Sequence, residues 1–126
     1  MTNNDILLDS DVIIWILRGR AEYIEKFKFL FENGLIFTTP ISVAEIFAGA
    51  RPNEEKVINN FFQSIEVLQI DQKTGMNAGN YMNQFSHSHK IEIADALIGA
   101  STLIHKLKLW TLNKKHYPMI SEDLFI

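Results

Sequence analysis

The chain has 126 residues, the length of a single domain spanning 1–126, and its 47% hydrophobic, 11% aromatic and 21% charged residues supply a packed core and exclude a disordered or low-complexity segment. The absence of cysteine excludes a disulfide framework, a thiolate zinc site, a cysteine nucleophile and a redox motif. Twelve Lys and Arg against fifteen Asp and Glu leave a net charge of −3, which argues weakly against a generally basic polyanion binder.

Taken in chain order, Ile6-Leu7-Leu8 is a short buried strand ending in Asp9, and Val12 to Leu17 is a brief helix closed by Gly19. Apolar residues at 23, 24, 27, 30 and 31 mark a helix over 21–32 that Asn33-Gly34 ends. A second strand covers 35–38. Helices over 41–50, with Ser42 as N-cap, and over 54–65, with Asn53 as N-cap, come next. A third strand over 67–70 leads into a polar helix from Asp71 to about His87. The spacing of Ile93, Leu97, Ala100, Ile104 and Leu107 predicts a helix, and Leu109 to Leu112 a fourth strand, with a short edge strand at 124–126. Short apolar strands separated by helices predict an α/β sandwich on a mostly parallel sheet of four to five strands.

Such sheets bind ligands beyond the carboxyl ends of their strands. Asp9 ends the first strand, Glu45 lies one turn into the helix after the second, Asp95 sits early in the helix before the fourth, and Asn113 follows the fourth. Asp95 and Glu45 interrupt apolar runs, where an unpaired charge is expensive. Only three arginines are present, and Arg51 alone is near either acid in sequence. A divalent cation is the simpler partner: carboxylate and amide oxygens are hard ligands suited to Mg²⁺ or Mn²⁺. Such a site activates water and stabilises charge on a phosphodiester. With three acids assigned to metal the remaining charge is balanced, and the basic clusters Arg18 and Arg20, Lys26 and Lys28, and Lys106, Lys108, Lys114 and Lys115 suit an enzyme acting on a polyanion. Each residue also has an ordinary reading: Asp9 and Asp11 as helix caps, Glu45 as a helix surface residue, Asp95 as a helix N-terminal acid, Asn113 as a turn residue and the lysines as solvated faces.

The segments Ile6 to Ile14, Ile41 to Gly49, Ile93 to Ala100 and Leu109 to Tyr117 resemble the PIN-domain ribonucleases, more narrowly the VapC-type toxins of type II toxin-antitoxin systems, in order and over nearly the whole length. The resemblance implies a five-stranded parallel sheet, Asp9, Glu45 and Asp95 as metal ligands, and Mg²⁺-dependent hydrolysis of RNA. It also implies a VapB-like antitoxin peptide that occludes the site, and a homodimer. Where the family often has a fourth acid this chain has Asn113, an amide that can ligate through oxygen or hold a water but adds no charge. Trp15, Phe47, Phe61 and Phe62 are candidates for the peptide groove near the first and fourth helices, or for core packing.

The six glycines fall at 19, 34, 49, 75, 79 and 99, outside any phosphate-loop or dinucleotide spacing, so no nucleotide cofactor is expected. His87-Ser88-His89 reads as a surface turn, and Ser10 and Thr111 flank the expected site. No leader or membrane-spanning run is seen from Met1 to Asp5 or later, and a cytoplasmic location is expected. Two other classes stay open: a PIN-like binding module without turnover, supported by Asn113, and a phospho-receiver domain, for which Asp71 after the third strand would have to serve.

Overall fold

The computed structural model describes residues 4–126, so the first three positions of the segment read for a leader lie outside it. Its strands are β1 (Ile6–Leu8), β2 (Ile36–Thr38), β3 (Glu66–Val67) and β4 (Lys108–Trp110), and its α-helices are α1 (Ser10–Leu17), α2 (Ala21–Asn33), α3 (Pro40–Ala48), α4 (Glu55–Gln63), α5 (Gln72–Gln84) and α6 (Ile93–Ile104). The strands form one parallel sheet in the order β3-β2-β1-β4. Among the described residues the sheet stops at four strands. The expected edge strand at 124–126 is reduced to one parallel bridge between Leu109 and Phe125, because residues 122–124 turn into a short 3₁₀ helix.

β1 is buried along its whole length, which is why it is a continuous apolar run rather than an alternating one. Side chains of a strand point alternately to its two faces, and the core divides accordingly. Ile6 and Leu8 join Val12, Ile13, Ile16, Ile46, Ile58 and Trp110 on one face. Leu7 joins Ile98, Leu107, Leu109, Tyr117 and Ile120 on the other. The result is three layers, helix, sheet and helix, with each buried aliphatic side chain contributing about 1.5–3 kcal/mol before chain entropy is subtracted.

Several expected boundaries move for local reasons. Thr39, not Ser42, caps α3: its hydroxyl accepts from the Ser42 N–H at 3.3 Å, with Pro40 in the first turn. Residues 52–54 form a 3₁₀ turn in place of an Asn53 cap, and Glu54 accepts from the Arg51 N–H at 2.8 Å. β3 is only two residues long because β2 turns into α3 after Thr38, and the Leu68 N–H takes the last available carbonyl, that of Thr38, at 2.9 Å. The stripe read for α6 is also displaced. Ile93 is 64% exposed, and the buried residues are Ala96 and Ile98 through Thr102, because α6 is covered by the sheet on one side and by α5 on the other, where Ala78 meets Ala96 and Ala100. Ser101 and Thr102 are tolerated there by donating to the Leu97 and Ile98 carbonyls, both at 2.9 Å. No helix among the described residues is long and apolar enough to cross a membrane.

Candidate active site

Parallel pairing puts the carboxyl ends of β1, β2 and β4 at one edge, and the residues that follow them line a single cavity of about 430 Å³. Asp9, Glu45, Asp95 and Asn113 all reach it, as the sequence predicts, together with Ser10, Asp11, Glu92 and His116. Asp71 does not: it caps α5 by accepting from the Thr74 N–H at 3.0 Å and the Thr74 hydroxyl at 2.8 Å.

Asp9 is both a cap and a member of the site. Its Oδ1 accepts from the Ser10 N–H at 2.8 Å, which starts α1. Its Oδ2 accepts from the Thr111 hydroxyl at 2.8 Å and from the Tyr117 hydroxyl at 2.6 Å. At 7% exposure the carboxylate is therefore held by three donors, each from a backbone position that other contacts fix. The Tyr117 hydroxyl also lies 3.3 Å from Asp95 Oδ1, so one phenol stands between two acids from opposite ends of the chain. Burial, and then the Asp9 charge, push the phenol pKa far upward, so Tyr117 stays a neutral donor.

The acids crowd one another. Burial raises the Asp95 carboxyl, Asp9 raises it further, and the His116 ring, 3.4 Å from Asp95 Oδ2, acts in the opposite direction. Burial also raises Glu45, with the Ser10 hydroxyl lowering it in part and Asp9, Asp95 and Asp11 adding repulsion. Glu45 is an exposed residue of α3, so this loss of solvation is local to the cavity side of its carboxyl. Asp11 is raised by burial and then by Asp9.

Asp11 and Asn113 form an arrangement that spacing did not reveal. Asp11 Oδ2 accepts from the Leu112 N–H at 3.0 Å and from Asn113 Nδ2 at 2.9 Å, while the Asn113 N–H donates to Thr111 Oγ1 at 3.1 Å. Thr111 thus passes its own proton to Asp9 while accepting from Asn113, tying β4 to β1 beyond the last sheet bond. Tyr117, whose hydroxyl meets Asp9 and Asp95, was not singled out in the sequence, where it appears only as the end of the Leu109 to Tyr117 segment.

Hard oxygen donors, excess negative charge and one buried carboxylate oxygen without a partner, Asp11 Oδ1, fit a divalent cation. The set is open rather than clenched: among the described residues no three His, Asp or Glu side chains converge closely enough to hold an ion as they stand. Asp9 and Asp95 stand within reach of one hydroxyl, and Glu45 lines the cavity from α3.

Beside the acids, across Glu45, a groove of about 440 Å³ runs between α1, α3 and α4. It is lined by the apolar Ile14, Leu17, Ile46, Ala50 and Ile58 and by the charged Arg18, Arg51, Glu45 and Glu54. The four aromatics considered for such a groove do not line it. Phe47, Phe61 and Phe62 pack on the core and on one another, with ring centroids 5.6–6.1 Å apart, and Trp15 stacks on Tyr23. Aromatic rings of this size are drawn to the core by the area they bury, which leaves the branched aliphatics at the rim.

The chain is 31% identical over 118 residues to ribonuclease VapC10 of Mycobacterium tuberculosis, covering 93% of this chain and 89% of that protein. It is 29% identical to ribonuclease VapC1 of Methanocaldococcus jannaschii, covering 93% and 82%. Among solved structures, the fold matches VapBC2 from Rickettsia felis bound to a promoter DNA fragment, with a TM-score of 0.79, 18% identity and coverage of 90% of this chain and 93% of that one. It also matches DNA-bound VapBC from Salmonella typhimurium, with a TM-score of 0.79, 19% identity and coverage of 92% and 94%. The profile described as PIN domain matches residues 6–119, and with that span, this sheet and these relatives the chain belongs to the PIN-domain family.

Proposed function

We propose that the protein is an endoribonuclease toxin of a type II toxin-antitoxin pair, hydrolysing RNA phosphodiester bonds in the cytoplasm with a divalent cation, Mg²⁺ or Mn²⁺. The observation that carries the reading is that Asp9, Glu45 and Asp95, three acids far apart in sequence, line one cavity at the carboxyl edge of a parallel sheet, in a chain whose relatives are named ribonucleases.

Asp9, Glu45 and Asp95 would hold the cation. When bound, it supplies a water of lowered pKa and positive charge where the phosphodiester becomes more negative. The protein's own part is to keep the ligands in place. Thr111, Tyr117 and the Ser10 N–H orient Asp9, and Tyr117 keeps Asp95 beside it. Asn113 supports the site through Asp11 and Thr111, leaving its amide oxygen for a water or the cation, and adds no charge.

A VapB-like antitoxin peptide fits the α1/α3/α4 groove, where an apolar strip is flanked by two arginines and opens toward the acids past Glu45. The structures the fold matches include VapBC complexes, which supports a VapB-like partner. A homodimer of the toxin is part of the same proposal. The test uses protein freed of antitoxin. RNA is cut with Mg²⁺ or Mn²⁺ and not in EDTA, and Asp95→Asn abolishes cutting while circular dichroism shows an intact fold. Full activity in EDTA would refute the assignment.

A further inference from the structure

The acid cavity continues, on the side away from the apolar groove, into a second hollow of about 360 Å³. The two share Glu92, Asp95 and His116, so together they make one trough. What the second adds is two lysines, Lys90 from the connection between α5 and α6 and Lys115 from the 3₁₀ turn after β4, with His89 and Ile91 beside them. Lys90 and Lys115 are 25 positions apart in sequence and come to one hollow only in the folded chain.

Their neighbour Lys114 is already engaged, 3.0 Å from Glu122 and over the Phe125 ring at 5.4 Å. Lys90 and Lys115 are exposed and make no ion pair among the described residues. This is notable because the carboxylates of Glu92 and Asp95 line the same hollow. Long lysine stems leave unpaired ammonium groups free to meet an incoming anion, and contacts of this kind to a phosphate backbone supply affinity without reading sequence.

We propose that this trough is the RNA backbone subsite: Lys90 and Lys115 take the phosphates next to the scissile one, so that the substrate strand leaves the acids over His116 and the apolar groove beyond Glu45 is left to the peptide. The inference rests on the nuclease reading above. It adds which flank carries RNA. Lys90 and Lys115 are positioning residues, since they touch the substrate away from the reacting phosphorus.

The experiment follows cleavage of a single-stranded oligoribonucleotide by the full chain in Mg²⁺ at several salt concentrations. The double variant Lys90→Ala/Lys115→Ala raises KM about tenfold with kcat little changed, and lowers the slope of log(kcat/KM) against log salt by about 1.4, or about 0.7 per phosphate contact on a single strand. Each single variant gives about half that slope change. The charge-matched control Lys56→Ala/Lys73→Ala, on exposed positions of α4 and α5, leaves both unchanged. If the double variant behaves like the control while the wild type cuts RNA, the subsite is wrong and the nuclease reading stands. If Arg18→Ala/Arg51→Ala moves KM and slope instead, RNA runs along the apolar groove and the inference is overturned. Loss of antitoxin binding with unchanged KM in the lysine variant would give the trough to the peptide, with the same result. A wild type that cuts no RNA removes the nuclease reading and the subsite together.

Discussion

Tyr117 donates to Asp9 at 2.6 Å across 108 residues of sequence, and the same hydroxyl lies 3.3 Å from Asp95. Removing that one oxygen isolates its role. Tyr117→Phe keeps the ring in the Leu7 and Ile98 core and leaves Asp9 Oδ2 with Thr111 alone, so urea unfolding of the metal-free protein shows a loss of about 1–2 kcal/mol. Cleavage falls by at least about tenfold, because a carboxylate with one brace removed no longer holds a single orientation. Unaltered cleavage would show that the phenol serves packing only.

The pH dependence of stability follows from crowding. Burial first, and then neighbouring charge, raise Asp11, Asp95 and Glu45 above the usual carboxylate range. A carboxyl raised in the folded state binds more protons there than in the unfolded chain, between its ordinary and its raised value. Stability therefore falls as pH rises through that window and returns as pH falls through it. The metal-free Tm climbs as pH is lowered from neutrality toward the ordinary carboxylate value of about 4, and saturating Mg²⁺ flattens the profile by raising the neutral end most. A metal-free Tm that drops steadily over this range would contradict the crowding.

Gly34 tests a close approach rather than a twisted backbone. Its φ of −176° is ordinary extended geometry, but a Cβ there would meet the backbone carbonyl of Asn4. Peptide groups cannot swing aside as a side-chain tip can, so Gly34→Ala costs about 1–3 kcal/mol by chemical denaturation. An unchanged midpoint would mean that the N-terminal segment yields freely.

The groove assignment is tested at its rim. Ile14 is 37% exposed on α1, so Ile14→Glu places a charge on the apolar strip without opening the core. Pull-down with the cognate antitoxin drops by more than tenfold, while Mg²⁺-dependent cleavage by the free toxin is unchanged. Retained capture would move the peptide elsewhere.

The positions of Asp9, Glu45, Asp95 and Asn113 were legible because Asp9 and Asn113 follow strands whose apolar pattern is plain, and a carboxylate inside the apolar helix runs around Glu45 and Asp95 needs a reason. Their partners were not legible. The bond between Asp11 and Asn113 joins residues 102 positions apart, and the choice of Thr39 over Ser42 as cap depends on where β2 stops. The spacing of Ile93, Leu97, Ala100 and Ile104 identified α6 as a helix but not which of its residues are buried, because a helix covered on two sides has no single apolar face. Of the two roles open to the aromatics near α1 and α4, groove or core, Phe47, Phe61 and Phe62 take the core, packed half-buried against it.

The ties from Thr111 and Tyr117 to Asp9 also bear on how the protein is made. Asp9, Glu45 and Asp95 all emerge from the ribosome before the two hydroxyls that clamp the first of them. A nascent polypeptide that has not yet delivered Thr111 and Tyr117 carries those acids without their brace, so an oriented Asp9 carboxylate arises only after β4 and the turn beyond it have emerged.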